Sequence, residues 1–405
     1  MTAVLIAFSD TGGGHRSAAT ALSDALRVAD PNVDAELLDP FALSARWPFG
    51  SLNRSYPVVI EHAAWLWRTG FALTNTPRRV AMAQRLAWPA IRRTYEMIAA
   101  SVAPDVIVST HPLLTEPLRR VFPRTPIVVV VTDLVSGHSS WYDRAADLII
   151  VPTAAARDRA VACGRDPARV VVHGIPISPR FIAMPGEQAT LLSELGWSTT
   201  KPTILLIGGA DGMGPLEAVS VAIDDAKLPC DLAIVAGRNA SLATRLRKRQ
   251  WRGTVRVYDF VGNLAGMMRA AAALVTKAGP GTISEACASG CPLVLYGAIP
   301  GQEAGNVHFV LDGDAGVWAP SPESVAAALQ TWLVGPEAQS MRHRASSGAR
   351  ALARPHAARE IAGLVLSHAG AVHEATRLDV PLTRGPSVDQ LSEDIPYITG
   401  GPVIV

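Results

Sequence analysis

A histidine follows three glycines near the start of the chain, in the segment SDTGGGHRSA at residues 9–18. An apolar run precedes the segment and a helical pattern follows it, which predicts a glycine turn opening a helix. Such turns bind anions, but this one lacks the lysine of a P-loop and the spacing of a dinucleotide-binding loop. The histidine suits a general base acting on a hydroxyl group. We predict His15 as the catalytic base, with phosphate binding or helix capping as its alternative roles.

A second glycine-containing segment, AGPGTISEACASG at 278–290, also follows an apolar run. Backbone N–H groups of Gly281 and Thr282 can hold a diphosphate at a helix N-terminus. Glu285 lies three residues after Thr282, which is the spacing of a capping box. Glu285 therefore has two possible roles, binding two ribose hydroxyls or capping its own helix. A third loop, GGADGMGP at 208–215, is expected to line the same site.

Polar side chains also stand where other apolar runs end. Asp133 follows the run PIVVVVT, where it would orient a histidine, act as the base itself, or bond nearby backbone. His111 and His138 would line the acceptor path or serve as hydrogen-bonded structural residues. Lys277 and Arg238 are candidate cations for the charge of a leaving group, and the other role of Lys277 is to extend from its strand end to water.

These residues require a scaffold that brings the ends of several apolar runs together. Short runs that are apolar on both faces alternate with helical patterns, which is typical of parallel strands in an α/β fold. The runs are VLIAF, DVIVST, PIVVVVT, DLIIVPT, RVVVHG, TILLIGG, DLAIVAG, VRVYDF, AALVTKAG and PLVLYG. They predict two doubly wound α/β domains, 1–180 and 200–338, that face a central cleft. A helical stretch at 339–374 and an extended tail at 375–405 follow.

The region from about 41 to 95 interrupts this alternation and combines tryptophans with many arginines. Rings and cations in one segment suit an anionic membrane surface, where rings lie at headgroup depth and arginines pair with lipid phosphate. The alternative is an inserted helical subdomain with buried tryptophans and solvated arginines. The side chains predicted here to contact acceptor or membrane are Trp65, Trp67, Arg78 and Arg79.

Composition restricts the class of protein. The chain has 405 residues, of which 49% are hydrophobic and 18% charged, and this suits a globular protein of two domains. A net charge of +2 gives no reason to expect nucleic acid as a partner. The four cysteines form no C-x-x-C pair, so neither a disulfide framework nor a metal site is predicted. With no predicted signal peptide or spanning helix, we expect a cytoplasmic protein.

Eight motifs, in their order and spacing, resemble those of the monogalactosyldiacylglycerol synthase type of GT-B glycosyltransferase. They are SDTGGGHRSA, VTDLVSGHSSWY, HGIPI, GGADGMGP, AGRN, FVGNLAGMM, TKAGPGTISEA and PGQEAGN. The resemblance implies two Rossmann-like domains and an inverting, metal-independent transfer of a hexose from a UDP-sugar to diacylglycerol or a related lipid hydroxyl. It also implies that the UDP-sugar is a substrate, that no cofactor is needed, and that the protein associates peripherally with the inner face of the cell membrane.

The same resemblance implies roles for individual residues. Those implied to contact uracil, ribose and diphosphate are Phe260, Val261, Glu285, Gly281 and Thr282. Those implied to reach the hydroxyls of the sugar are Gln302, Glu303 and Asn306. Further donor-side residues are Gly14, Gly209, Met213, Gly214, Arg238, Lys277 and Gly279. The acceptor side adds His111, His138 and Trp141.

Three other functions fit the same motifs. The chain is also similar, more distantly, to the N-acetylglucosaminyl transferase of peptidoglycan synthesis, which implies UDP-N-acetylglucosamine and a polyprenyl-linked acceptor. A UDP-sugar epimerase would use the same two-domain scaffold and would need no surface facing lipid. A non-catalytic nucleotide-sugar sensor would bind UDP without transfer, and the intact GGGH and QEAGN motifs argue against it.

Overall fold

The structure is a computed structural model that describes residues 1–10, 13–44, 63–184 and 186–376. The chain divides into two compact units, with changeovers after Pro176 and after Pro355. The first unit holds the N-terminal part of the chain and also its last described helix. The second unit is built from the residues between the two changeovers. The tail predicted at 375–405 lies outside the described residues from 377 onward.

The first unit contains a parallel sheet of six strands in the order β2-β1-β3-β4-β5-β6. Its strands are β1 (Ala3–Ala7), β2 (Asp34–Leu38), β3 (Val106–Ser109), β4 (Ile127–Val130), β5 (Leu148–Val151) and β6 (Val170–Val172). Its helices are α1 (Gly14–Ala29), α2 (Ala64–Thr74), α3 (Pro77–Ser101), α4 (Thr115–Val121), α5 (Ala154–Ala162) and the C-terminal α14 (Ala357–Thr376). Beyond β4, residues Ser139–Tyr142 form a short 3-10 turn.

Both faces of this sheet are buried, which explains the runs without polar alternation. Leu5 and Ile107 belong to one apolar cluster, and Ile6 and Val108 belong to the cluster on the opposite face. The second cluster includes Ile361 and other side chains of α14, which packs against α1. Full burial of one such side chain contributes about 1.5–3 kcal/mol to stability, so α14 is part of the core of the first unit.

The second unit repeats this architecture, with six parallel strands in the order β12-β11-β10-β7-β8-β9. Its strands are β7 (Thr203–Ile207), β8 (Asp231–Val235), β9 (Val255–Tyr258), β10 (Ala273–Lys277), β11 (Leu293–Gly297) and β12 (Gly316–Trp318). Its helices are α6 (Gln188–Glu194), α7 (Leu216–Asp225), α8 (Ala240–Lys248), α9 (Leu264–Ala270), α10 (Pro280–Ala288), α11 (Ala304–Asp312), α12 (Pro322–Leu333) and α13 (Ala338–Leu352). One apolar cluster joins β7, β8, β10 and β11 to helices α7, α8 and α12.

The predicted doubly wound α/β class is confirmed, and each predicted apolar run contains a strand. Two edge strands, β2 and β12, were not predicted, because both are short and partly exposed. The helical stretch predicted at 339–374 is not one element. It consists of α13, which belongs to the second unit, and α14, which belongs to the first. Among the helices that the structure describes, none has the length and apolar character needed to span a bilayer.

Candidate active site

The first sheet brings several of the predicted residues to one edge. Strands β1 and β3 are neighbours in the sheet, and the connections from β1 and from β3 proceed in opposite directions. Such a switch point is where ligands bind in open α/β sheets. His15 follows β1, His111 follows β3, and Asp133 follows β4. The carboxyl ends of three adjacent strands therefore surround this point.

His15 lies in the first turn of α1. The helix is preceded by Gly13, whose φ of 79° is left-handed and suits glycine, and no side chain caps it. Helix capping is therefore not the role of His15. Its Nδ1 lies 2.8 Å from the carbonyl oxygen of Thr110 and 2.9 Å from Oγ1 of Thr132.

The carbonyl of Thr110 fixes the tautomer of His15. A carbonyl oxygen only accepts hydrogen bonds, so Nδ1 of His15 carries the proton and donates it to Thr110. The neutral ring then keeps its lone pair on Nε2. Nε2 forms no hydrogen bond with the residues that the structure describes. This geometry leaves a basic nitrogen available to a substrate hydroxyl.

Two aromatic rings pack against His15. The ring of His111 is 4.8 Å away, and the ring of Trp141 is 5.8 Å away, both measured between centroids. Trp141 donates its indole N–H to Oδ2 of Asp133 at 2.6 Å. The structure thus brings together four residues that were predicted separately, namely His15, Asp133, His111 and Trp141.

Trp141 was predicted to contact acceptor or membrane; its side chain is fully buried, which does not fit contact with a membrane surface, and its acceptor role stays a prediction. Asp133 is also buried and accepts from this indole. The backbone bond that was the alternative role of Asp133 stays a prediction. The pair forms part of the wall beside His15, and a catalytic role of Asp133 stays a prediction.

Burial lowers the pKa of His15 to about 4, against smaller opposing effects of the hydrogen bond to Thr110 and of the Asp10 carboxylate. Burial and the neighbouring His15 also place the pKa of His111 well below its ordinary value. Both rings are neutral at pH 7. Neutral His15 can accept a proton without first losing one.

We expect the protonation of His15 to cause no change in kcat/KM for glycosyl transfer from about pH 6 to about pH 8. Below a pKa of about 4 the imidazolium has no lone pair, so kcat/KM should fall tenfold per pH unit. Initial rates at limiting donor across this range, with circular dichroism at each pH, test this. An acid inflection near the ordinary value of about 6.5 would contradict a lowered pKa of His15.

His138 has a different environment. Its Nδ1 accepts from the backbone N–H of Ser140 at 3.2 Å, so its Nε2 carries the proton and faces Oγ1 of Thr74 at 3.1 Å. Asn75 accepts from the N–H of Ser139 at 2.8 Å. His138 and Asn75 together attach the end of α2 to the 3-10 turn that carries Trp141. The structure therefore gives His138 a connecting position.

The second sheet has its own switch point, between β7 and β10. The loop after β7 is the predicted GGADGMGP segment, and the loop after β10 begins the predicted AGPGTISEA segment. A Cβ placed on Gly209 would lie 4.0 Å from Cε of Lys277, so the two loops are neighbours. The hydroxyl of Tyr296 donates to the carbonyl of Met213 at 3.1 Å and holds the first loop in place.

Helix α10 begins at Pro280, after the N-cap Gly279, and no side chain caps it. The capping-box role for Glu285 is therefore wrong, because Thr282 is not the N-cap and Glu285 lies in the second turn. A proline at the first position has no N–H to satisfy and fixes a helical φ. The N–H groups of Gly281 and Thr282 remain at the positive end of the helix dipole, where an anion binds favourably.

Three polar residues lie beneath this helix start. Lys277 donates from Nζ to Oε1 of Glu303 at 2.5 Å, and Oε2 of Glu303 accepts from the N–H of Ile299 at 2.9 Å. Asn306 donates from Nδ2 to the carbonyl of Ala278 at 2.9 Å. Glu303 and Asn306 are almost completely buried. Both side chains hold the loop after β10, and their predicted contacts with sugar hydroxyls stay predictions.

Among the other predicted donor residues, Gly14 is exposed at the start of α1 in the first unit, and the rest belong to the second unit. Phe260 follows β9 and is 58% exposed, so its ring is accessible to a nucleobase such as uracil. Val261 and Gln302 are half-buried. Arg238 forms an ion pair with Asp211 of the GGADGMGP loop, with Nε 3.0 Å from Oδ1. Within the described ranges, no cluster of His, Cys, Asp or Glu suits a metal ion.

Helices α2 and α3 present the tryptophan- and arginine-rich region, of which residues 45–62 lie outside the described residues. Trp65 is 67% exposed, while Trp67 is half-buried. Arg78 is exposed at the start of α3, together with Met82 and Leu86. Arg79 is also exposed and donates to the carbonyl of Leu73 at 2.9 Å, which links it to the end of α2.

Comparisons with known proteins agree with this arrangement. A family model described as "Monogalactosyldiacylglycerol (MGDG) synthase" matches residues 15–177, and one described as "Glycosyltransferase family 28 C-terminal domain" matches residues 203–308. The chain is 35% identical to a probable monogalactosyldiacylglycerol synthase 2 of Oryza sativa subsp. indica, over 88% of this chain and 79% of the relative. The chain belongs to the monogalactosyldiacylglycerol synthase family. Monogalactosyldiacylglycerol synthase 1 of Arabidopsis thaliana is 33% identical over 87% of this chain and 68% of its own length.

Members of this family are glycosyltransferases, and solved structures show the same GT-B fold. The chain is similar to MurG of Acinetobacter baumannii, with a TM-score of 0.55 and 16% identity over 91% of this chain and 100% of MurG. It is also similar to the glycosyltransferase WaaG, with a TM-score of 0.54 and 14% identity over 90% and 99% of the two chains. A UDP complex of MnaA from S. aureus gives a TM-score of 0.58 at 12% identity, over 96% of this chain and 100% of MnaA.

Several residues that shape the candidate active site were not predicted from the sequence. Thr110 and Thr132 orient His15, yet each is a lone threonine at a strand end and carries no motif of its own. Tyr296, in β11, holds the glycine loop through a hydrogen bond that requires β7 and β11 to lie on the two sides of β10. Thr110 and Thr132 lie near His15 because β1, β3 and β4 are adjacent in the sheet. The strand order reveals this adjacency, and the sequence alone does not.

Proposed function

We propose that this family member transfers a hexose from a UDP-sugar to the free hydroxyl of diacylglycerol, with inversion and without a metal ion or cofactor. The carrying observation is His15, whose tautomer is fixed by Thr110 and whose Nε2 is available to a substrate. The names of the relatives, monogalactosyldiacylglycerol synthases, favour galactose and diacylglycerol. The first unit would supply the base, and the second would hold the UDP group.

The reaction needs one proton transfer and one displacement. Nε2 of His15 takes the proton of the lipid hydroxyl while its oxygen attacks the anomeric carbon of the sugar. The bond from that carbon to the diphosphate oxygen breaks, and its electron pair leaves with UDP. Attack opposite to the leaving group inverts the anomeric configuration. The N–H groups of Gly281 and Thr282 would stabilise the growing charge of the diphosphate.

A transfer assay tests this proposal. Purified protein is mixed with diacylglycerol in anionic vesicles and with UDP-galactose, UDP-glucose or UDP-N-acetylglucosamine, each with and without EDTA. We expect glycolipid from a hexose donor, in equal yield with EDTA, and an inverted anomeric centre by NMR. No product from diacylglycerol with transfer to a polyprenyl-linked acceptor in a parallel assay, or release of an epimerised UDP-sugar without transfer, would overturn the assignment.

The surface of α2 and α3 supports contact with an anionic membrane. Arg78, Met82, Arg85 and Leu86 follow helical spacing and lie on one face of α3. All four are exposed, and the exposed Trp65 belongs to the neighbouring helix α2. Apolar side chains among cations favour the interface of an anionic bilayer. We propose that this face, called here the α2–α3 face, holds the protein at the inner surface of the cell membrane.

Replacement of Arg78 and Arg85 by glutamine should weaken binding to anionic vesicles by about 30-fold, since each cation near such a surface contributes about 1 kcal/mol. The difference should shrink as salt rises. Vesicle sedimentation at several salt concentrations measures both effects. Arg124→Gln is the control, because Arg124 is exposed in the turn between α4 and β4 and is not part of the α2–α3 face. Equal weakening by the control would contradict a specific α2–α3 face.

A further inference from the structure

The ammonium of Lys277 and the carboxylate of Glu303 are hydrogen-bonded to each other among the residues predicted to bind the donor. Nζ of Lys277 lies 2.5 Å from Oε1 of Glu303, and the Glu303 side chain is only 3% exposed. The second oxygen of Glu303 is held by the N–H of Ile299. In this state the ammonium group neutralises the carboxylate, and Oε1 is engaged by the ammonium.

The pair lies directly beside the start of α10. A Cβ placed on Gly279 would be 3.3 Å from Nζ of Lys277 and 3.9 Å from Oε1 of Glu303. Gly279 is the N-cap of α10, so Nζ lies next to the helix end that presents the N–H groups of Gly281 and Thr282. Because Gly279 has no side chain, none stands between the N-cap of α10 and the pair.

An anion at the start of α10 would therefore compete with Glu303 for Lys277. A diphosphate carries more charge than one carboxylate and would also be held by the helix N–H groups. Transfer of the ammonium to the diphosphate would leave Oε1 of Glu303 as a buried acceptor without its cation. A buried carboxylate in that position is costly unless another donor replaces the lost one. A sugar hydroxyl is such a donor.

We propose that Lys277 moves its hydrogen bond from Glu303 to the donor diphosphate, and that this exchange frees Glu303 to accept a hydroxyl of the sugar. The inference rests on the proposed function and adds an order of recognition to it. Glu303 accepts a hydrogen bond from the sugar only after the diphosphate is bound. Free sugar has no diphosphate, so it meets a carboxylate already paired with Lys277. Binding of the two parts of the donor is coupled, and the coupling is reciprocal.

The Glu303→Gln variant distinguishes this exchange of partners from a purely structural role of the Lys277–Glu303 pair. Glutamine keeps an oxygen for the N–H of Ile299 but no charge to hold Lys277. UDP should then bind several-fold to about tenfold more tightly, because the ammonium is already released. The extra affinity of UDP-sugar over UDP should be lost. Titration calorimetry with UDP and UDP-galactose measures both values in the full chain.

Asp225→Asn is the matched control, since Asp225 forms an exposed ion pair with Arg252 at 3.0 Å in the same unit. It should change neither affinity. Lys277→Met should weaken UDP by about tenfold or more, and thermal melting shows that each variant is folded. Weaker or unchanged UDP binding in folded Glu303→Gln would overturn the exchange. Failure of the unchanged protein to bind UDP would instead overturn the proposed function.

Discussion

Replacement of His15 by alanine is expected to lower kcat of glycosyl transfer by about 10²–10⁴-fold, which is the range that a positioned base contributes. The alanine variant lacks the nitrogen that takes the hydroxyl proton in the proposed reaction. Its affinity for UDP should stay close to that of the unchanged protein, because the predicted UDP contacts lie in the second unit. Single-turnover rates and UDP titration of the same samples measure both quantities.

Two further variants make this result specific. His343→Ala removes an exposed histidine from α13 and should leave the rate unchanged. Thr132→Val removes one of the two groups at Nδ1 of His15 but leaves the carbonyl of Thr110. This change should lower kcat less than the loss of the ring. A folded His15→Ala variant with full activity would show that another group takes the proton.

The second large effect is expected for Glu285. The structure places it in the second turn of α10 instead of in a cap, so its carboxylate is not required to start the helix. Two hydrogen bonds from ribose hydroxyls to a carboxylate contribute about 1.5–3 kcal/mol each. Glu285→Ala should therefore weaken UDP by about 100-fold or more. Alanine preserves the helix because it has the highest helix propensity.

Comparison with 2′-deoxy-UDP separates ribose binding from indirect effects. The deoxy ligand lacks one of the two hydroxyls, so the unchanged protein should bind it more weakly than UDP. The Glu285→Ala variant should bind the two ligands almost equally. If the variant still prefers UDP by the full factor, the carboxylate does not contact the 2′-hydroxyl.

The strands of both sheets were predictable because their physical origin is local. Runs such as VLIAF and TILLIGG are apolar on both faces, and this pattern is required by sheets covered on both sides. The edge strand β2 was missed because DAELL mixes exposed and buried residues. The two C-terminal helices were not separated, since the composition of α13 and α14 does not reveal which unit each helix contacts.

The site was predictable where a motif carries the chemistry, and less so where the fold assembles it. His15 and Glu285 stand in glycine-rich segments and were found. The role of Thr282 as a cap was wrong because Pro280 begins α10 two residues earlier. Trp141 was predicted on the acceptor side, but the sequence did not show that its ring packs beside His15. Trp141 is buried in an apolar cluster of the first unit, and its indole N–H donates to Asp133, which follows β4.

The return of α14 to the first unit has a consequence for how the chain is made. Ribosomes release the N-terminal strands first, but Ile361 and Val365, which complete one face of their core, emerge only after the whole second unit. The second unit is contiguous and can fold while the first is still incomplete. The nascent first unit therefore exposes apolar surface for most of its synthesis. For protein engineers, the portion to exchange between relatives is the insert 177–355, not an N-terminal half.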